Sequence, residues 1–189
     1  MQKKLLIIIV AIMTLVAVGM VTYMLYSQPA SAPKVTNRSI ADCSETTRSW
    51  RTSPQIDNET MSRGEIVDIR YGQHDCFDRI VFEINSGDLV GYRAEYVSAV
   101  IGGGSGEPVE VAGNSLIQLT INAPATSDPH PTDFGPTQDW NALHQIKRVS
   151  SFEGVTTYGI GVNKETPFRI FHLPGKDGER MRVVLDLAH

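Results

Sequence analysis

From residue 66 onward apolar and polar positions alternate in short bursts. Val67, Ile69 and Tyr71 alternate with Ile66, Asp68 and Arg70, and after a polar turn over 72–78 Ile80, Phe82 and Ile84 alternate with Val81 and Glu83. A period of two predicts β-strands, here a pair joined by a short connection. Tyr92, Ala94 and Tyr96 continue the pattern, Val109–Ala112 follows a glycine cluster at 102–106, and Ile117, Leu119 and Ile121 share one face of the next strand. His144–Ser151 and Val155–Val162 flank Phe152-Glu153-Gly154 as a hairpin. Phe168–Leu173 follows Pro167, and in Arg180–Leu187 the residues Met181, Val183, Leu185 and Leu187 lie opposite Arg180, Arg182 and Asp186. About nine short strands with turn signals roughly every ten residues predict an all-β sandwich over residues 65–189. The glycine cluster lacks a Gly-Lys-Ser/Thr ending and no helix is signalled after it, so it reads as a hairpin tip rather than a phosphate cradle.

The start of the chain has a different pattern. From Leu5 to Tyr26 the run LLIIIVAIMTLVAVGMVTYMLY carries no charge. As a helix, about 22 residues at 1.5 Å each span about 33 Å, enough for a hydrocarbon core of about 30 Å. Lys3 and Lys4 keep the end that precedes it inside. Residues 1–4 are therefore expected in the cytoplasm, 5–26 as a transmembrane signal anchor, and the remainder as an extracytoplasmic part of a single-pass membrane protein. Ala30-Ser31-Ala32 matches a cleavage pattern, but Pro33 would open the mature chain and the apolar run exceeds that of a signal peptide, so retention of the anchor is expected over secretion. Residues 27–64 are rich in Ser, Thr, Pro and Asn and read as a flexible polar tether, with Cys43 and Trp50 as its exceptions.

Charge narrows the partners. The chain carries −4 overall; setting Lys3 and Lys4 aside leaves 15 basic against 21 acidic groups, or −6 for the rest. A body of that sign repels a polyphosphate, and no basic run interleaves with aromatics, so nucleic acid is not an expected partner.

Cys43 and Cys76 are the only cysteines. In an oxidising compartment an even count reads as a disulfide, closing a loop of about 33 residues and worth about 3–4 kcal/mol by chain entropy. The competing reading makes Cys76 a nucleophile beside His74 and Asp75, but adjacent residues on an extended chain point apart. Another candidate surface is the segment 122–141, with Pro124, Pro129, Pro131 and Pro136. Long irregular loops in compact domains are often functional, and Phe134 and Trp140 beside Asp133 and Asp139 offer an aromatic ring to stack on a sugar and carboxylates to hold its hydroxyls. The bland reading has the tryptophan filling the core. Asp75, Asp78, Glu83, Glu95, Glu153 and Asp186 supply carboxylates for acid/base work, yet alternation reads most of them as solvent-facing. His74, His130, His144, His172 and His189 show no ligand spacing and read as surface or loop residues, so neither metal nor cofactor is expected.

Taken together, Gly72-Gln73-His74-Asp75 with Phe77-Asp78-Arg79-Ile80-Val81-Phe82, Tyr92-Arg93-Ala94-Glu95-Tyr96, Gly106-Glu107-Pro108-Val109, Phe152-Glu153-Gly154-Val155, Gly159-Ile160-Gly161, Pro167-Phe168-Arg169 and Val183-Val184-Leu185-Asp186-Leu187 resemble the AMIN-like domain of bacterial cell-envelope proteins, a relative of AMIN domains. The resemblance spans residues 65 to 189. It implies a β-sandwich outside the membrane, an association with peptidoglycan binding and with the placing of envelope proteins, and no catalytic residues. The expectation is a non-enzymatic binding module of the envelope, contacting peptidoglycan or another envelope component. The alternatives are a protein–protein interaction module, using a sheet edge or the proline-rich loop, and a cell-wall hydrolase.

Overall fold

The computed structural model describes residues 40–58, 61–126, 132–136, 140–176, 178 and 180–189. The segments read as cytoplasmic end, membrane anchor and cleavage site lie outside these residues, as does Asp139. Among the described residues no helix is long and apolar enough to cross a membrane.

A short helix α1 (Ile40–Thr46) precedes the strands β1 (Gln55–Asp57), β2 (Ile66–Gln73), β3 (Phe77–Ile84), β4 (Tyr92–Val97), β5 (Val100–Ile101), β6 (Pro108–Val109), β7 (Ser115–Ile121), β8 (Asp133–Phe134), β9 (Leu143–Phe152), β10 (Val155–Val162), β11 (Phe168–Pro174) and β12 (Met181–Ala188). One sheet has six strands in the order β1-β4-β7-β10-β9-β8, the other four in the order β11-β12-β3-β2, and β5 and β6 pair apart from both. Every pairing among these strands is antiparallel.

Alternation sorts the side chains. Ile80, Phe82 and Ile84 from β3 and Val183, Leu185 and Leu187 from β12 meet Ile117, Leu119 and Ile121 from β7 and Tyr158, Ile160 and Val162 from β10 in one core shared by both sheets. Phe82 and Tyr158 touch across it with ring centroids 4.7 Å apart. Each such side chain, fully withdrawn from water, contributes about 1.5–3 kcal/mol. Burial also pushes the Tyr158 hydroxyl far above its ordinary pKa.

Three local details depart from the alternation. A register shift between Ile66 and Asp68 bulges β2, so Ile66, only 2% exposed, joins the core although the strict alternation groups it with Asp68 and Arg70. The turn predicted over 72–78 is tighter, because Gly72 and Gln73 still pair with Arg79 and Asp78 and the His74 amide donates to the Phe77 carbonyl. The strands beyond the predicted nine are β1, β5 and β8, of two or three residues each, too short to show a period.

The glycine cluster forms the tip between β5 and β6, and that hairpin with the segment after it lies flat on the outer face of the six-stranded sheet. Gly159 and Gly161, flanking the core residue Ile160, permit the approach. A Cβ on Gly161 would lie 1.7 Å from the Ala112 carbonyl oxygen, and one on Gly159 would lie 2.5 Å from Val111.

Residues 43–57, inside the segment read as tether, are built into the body. Cys43 and Cys76 form a disulfide. Beyond it Arg51 bridges to Phe168 on the edge strand β11, and the Gln55 side-chain amide donates to the Phe168 carbonyl and accepts from the Ile170 amide. β1 then pairs with β4 of the other sheet. The arm thus straps one side of the sandwich. Its polar composition hides this, since the anchoring comes from a disulfide, a tryptophan and an amide rather than an apolar face.

Candidate functional site

The proline-rich segment contributes a wall of a groove rather than a free loop. β8 pairs with β9 through Asp133 opposite Lys147 and Phe134 opposite Ile146. The Gln145 side-chain amide donates to both Asp133 carboxylate oxygens at 2.9 Å. From the four-stranded sheet, the Tyr71 hydroxyl donates to the Gly135 carbonyl at 2.7 Å, and the Tyr71 ring meets Trp140 edge to face at 5.6 Å. Tyr71, Asp133, Phe134, Pro136, His144 and Gln145 surround a cavity of about 450 Å³. A second hollow of about 760 Å³ shares Ala112 and Gln145 with it and continues along the outer face of the six-stranded sheet to Leu116 and Lys147.

The Trp140 side of this groove is held from beneath. Asp78, on the core side of β3 and fully buried, accepts hydrogen bonds from the Ala142 and Leu143 amides at 2.9 and 2.8 Å. The Asn163 side chain donates to the Trp140 carbonyl at 2.6 Å. The other Asp78 oxygen stands 3.5 Å from Nε2 of His189. Phe134 and Trp140 pack against the core while keeping part of their surface in solvent.

The residues singled out in the sequence fall in two places. Asp133 and Phe134 line the groove, and Trp140 stands behind it against the Tyr71 ring. His74 and Asp75 sit at the disulfide corner instead, both exposed, with the His74 ring stacked on Phe77 at 4.5 Å. Cys76 is disulfide-bonded, which removes the thiolate that the nucleophile reading required.

The reading of the carboxylates as solvent-facing needs correction. Asp78 and Asp186 are fully buried and Glu83 nearly so. Asp186 sits under Arg79 and Arg169 at 2.6 and 2.8 Å, while Glu83 lies between Arg70 and Arg180. The hydrogen bond from Arg180, joined by one from Arg70, holds the Glu83 carboxyl below its ordinary range although burial pushes the other way. Of the histidines, His74 and His144 are exposed as read and His130 lies outside the described residues, while His172 and His189 need the same correction. His172 is mostly enclosed, its Nε2 2.7 Å from the Val90 carbonyl oxygen, and the His189 side chain is 10% exposed.

Sequence reasoning passed over Tyr71, His144 and Gln145 as parts of the groove. Tyr71 carries no signal, since it reads as one more strand aromatic. Asp78 does carry one, because a charge in phase with Ile80, Phe82 and Ile84 belongs to an apolar face and must be satisfied there.

In chemical terms the described residues around Tyr71 offer ring edges, an imidazole, an amide and a carboxylate whose oxygens are already engaged, and the adjoining hollow adds Glu110 and Lys147. That set suits hydrogen bonds to hydroxyls and amides and contact with a sugar ring. A family model described as the AMIN-like domain matches residues 64–189. No curated protein and no solved structure matches the chain.

Proposed function

We propose, from the premise that the chain belongs to the AMIN-like domain family, that it is a non-enzymatic binding module of the bacterial cell envelope, held to the membrane by residues 5–26 and contacting peptidoglycan through the groove around Tyr71. The family supports an envelope interaction module in general. The charge-free run from Leu5 to Tyr26 supports the anchor, and the Cys43–Cys76 disulfide supports an oxidising compartment.

The observation that carries the peptidoglycan contact is the meeting of Tyr71 from β2 with Asp133 and Phe134 from β8 on one groove, with Trp140 behind the Tyr71 ring. Aromatic rings present a face or edge to the C–H side of a sugar, and the polar groups beside them fix its orientation. Asp133 is the sole carboxylate among the described residues lining the cavity, and Gln145 engages both of its oxygens. Among those described residues two-carboxylate cleavage lacks its second group.

Co-sedimentation of the full chain with purified peptidoglycan tests the reading. Binding is expected to fall about tenfold in Tyr71→Ala, as for loss of an aromatic contact worth 1–1.5 kcal/mol, and to be largely kept in Tyr71→Phe. Absence of binding by the unaltered chain, or release of soluble muropeptides from the wall, would sink it.

A further inference from the structure

We propose that the outer face of the four-stranded sheet docks on the anionic lipid headgroups of the membrane that holds the chain, which leaves the hollow on the outer face of the six-stranded sheet turned from the lipid. This rests on the anchor reading of residues 5–26.

Five guanidiniums gather on that face: Arg70 on β2, Arg79 on β3, Arg169 on β11, and Arg180 and Arg182 at and beside the start of β12. They are a third of the 15 basic residues beyond Lys4. Among the described residues the carboxylates between them are Asp68, Glu83 and Asp186, so these described groups are net positive on a body that is net negative. Asp186 is shared by Arg79 and Arg169, which leaves that triad with one positive charge. Arg182 donates to the Pro174 carbonyl, and no carboxylate among the described residues forms an ion pair with it. The side chains of Arg70, Arg169 and Arg180 are 54%, 40% and 55% exposed.

The apolar groups between the charges fit a headgroup layer. Phe171 and Phe77 lie under the guanidiniums, Arg169 is 4.6 Å from the Trp50 ring and 5.0 Å from the Phe171 ring, and Leu173 is 36% exposed on the same face. Arginines on an aromatic and aliphatic bed can place their heads among phosphates while their stems stay in apolar contact. The opposite side of the sandwich carries exposed Glu107, Glu110 and Asp133, which anionic lipid repels.

Chain length points to the same occupant. Cys43 fixes the arm to Cys76 at the end of β2 and β3, and Trp50 then lies against Phe77 at 5.5 Å. The polypeptide therefore joins the body beside this face. Thirteen residues separate Tyr26 from Ile40, which caps their reach at about 45 Å. On the anchor reading, such a connection keeps this face within reach of the lipid surface.

The test uses the full chain in nanodiscs of phosphatidylcholine alone or of equal parts phosphatidylcholine and phosphatidylglycerol, with a fluorophore attached through Leu173→Cys or, as control, Glu107→Cys, and a headgroup-labelled quenching lipid. Quenching at position 173 but not at 107 is expected, only in the anionic discs. It should fade as added salt shortens the screening length to about 3 Å near 1 M. Arg182→Gln should lower the docked-to-free ratio about fivefold, and Arg182→Gln with Arg70→Gln about 30-fold; Glu83 keeps Arg180 in that pair.

Equal quenching at the two positions, or quenching indifferent to phosphatidylglycerol and salt, overturns the proposal. So does an arginine pair that abolishes co-sedimentation with peptidoglycan while leaving the quenching unchanged, which would give the face to the wall. If alkaline carbonate strips the chain from membranes the anchor reading fails separately. Arginine-dependent capture of the stripped chain by phosphatidylglycerol vesicles then keeps the face, and its absence removes it.

Discussion

Asp186 is fully buried on the side of β12 that alternation assigns to water, and two arginines compensate it asymmetrically. The Arg79 and Arg169 side chains are 26% and 40% exposed, so they can rehydrate if the carboxylate is removed, whereas the carboxylate cannot if they are. Asp186→Asn should therefore cost about 2–3 kcal/mol and the double change Arg79→Ala with Arg169→Ala about 3–5, because only the second strands a buried charge. Urea unfolding of the full chain in detergent measures both, and equal costs would mean that water reaches Asp186. Glu83 adds a pH signature. Its folded pKa lies below the ordinary value of 4.5, so the contribution to stability is complete above that value, where the unfolded chain is ionised too, and is lost as pH falls through the folded pKa. Glu83→Gln should cost about 1–2 kcal/mol at neutral pH, given partners that are half exposed. The difference from the unaltered chain should shrink below pH 4.5; a gap that stays constant down to acid unfolding would assign it to packing.

At the level of elements, the long strands were legible because each buries one face against the facing sheet, and burial of Ile117, Leu119 and Ile121 leaves a period of two that needs no partner to be read. The hairpin of β9 and β10 was legible for a local reason as well. Phe152 pairs with Val155 across Glu153 and Gly154, whose φ angles of 50° and 80° are those a two-residue turn requires. What could not be read depends on distant groups. The bulge at Ile66 follows from pairing with β3, the burial of Asp186 from two arginines on other strands, and the groove from Tyr71 meeting a loop 64 residues away. Composition marks out Phe134 and Trp140, while their neighbours Gln145 and His144 look like any polar positions on a strand. The disulfide was read from a count of two and a compartment, and its effect is local to the arm. It closes a loop with sequence separation 33, and losing it through Cys76→Ser should lower stability by about 3–4 kcal/mol. The same melting temperature in reducing and oxidising buffer would show that the arm is held without it.

For the whole molecule, the boundary of the body matters most. The family match begins at residue 64, yet Ser39–His189 is one compact unit, and the arm between them occupies edges that the sandwich would otherwise expose. Arg51 and the Gln55 side chain cover β11, β1 covers β4, and Trp50 is only 8% exposed against Phe77 and Arg169. An uncovered strand edge is a template for another chain, so the arm is expected to act as a guard as well as a strap. A chain cut to residues 64–189 loses the cross-link, the burial of Trp50 and the pairing of two edges together. Its stability should fall by more than the disulfide alone accounts for, by about 2 kcal/mol further from the tryptophan. It should also self-associate through β4 and β11, whereas the chain from Ser39 with Cys43→Ser and Cys76→Ser, which keeps the edges covered, should stay monomeric. Sedimentation velocity on the two separates the effects. If the shorter chain remains a monomer while the double serine variant associates, the disulfide rather than edge cover is what keeps the sandwich solitary.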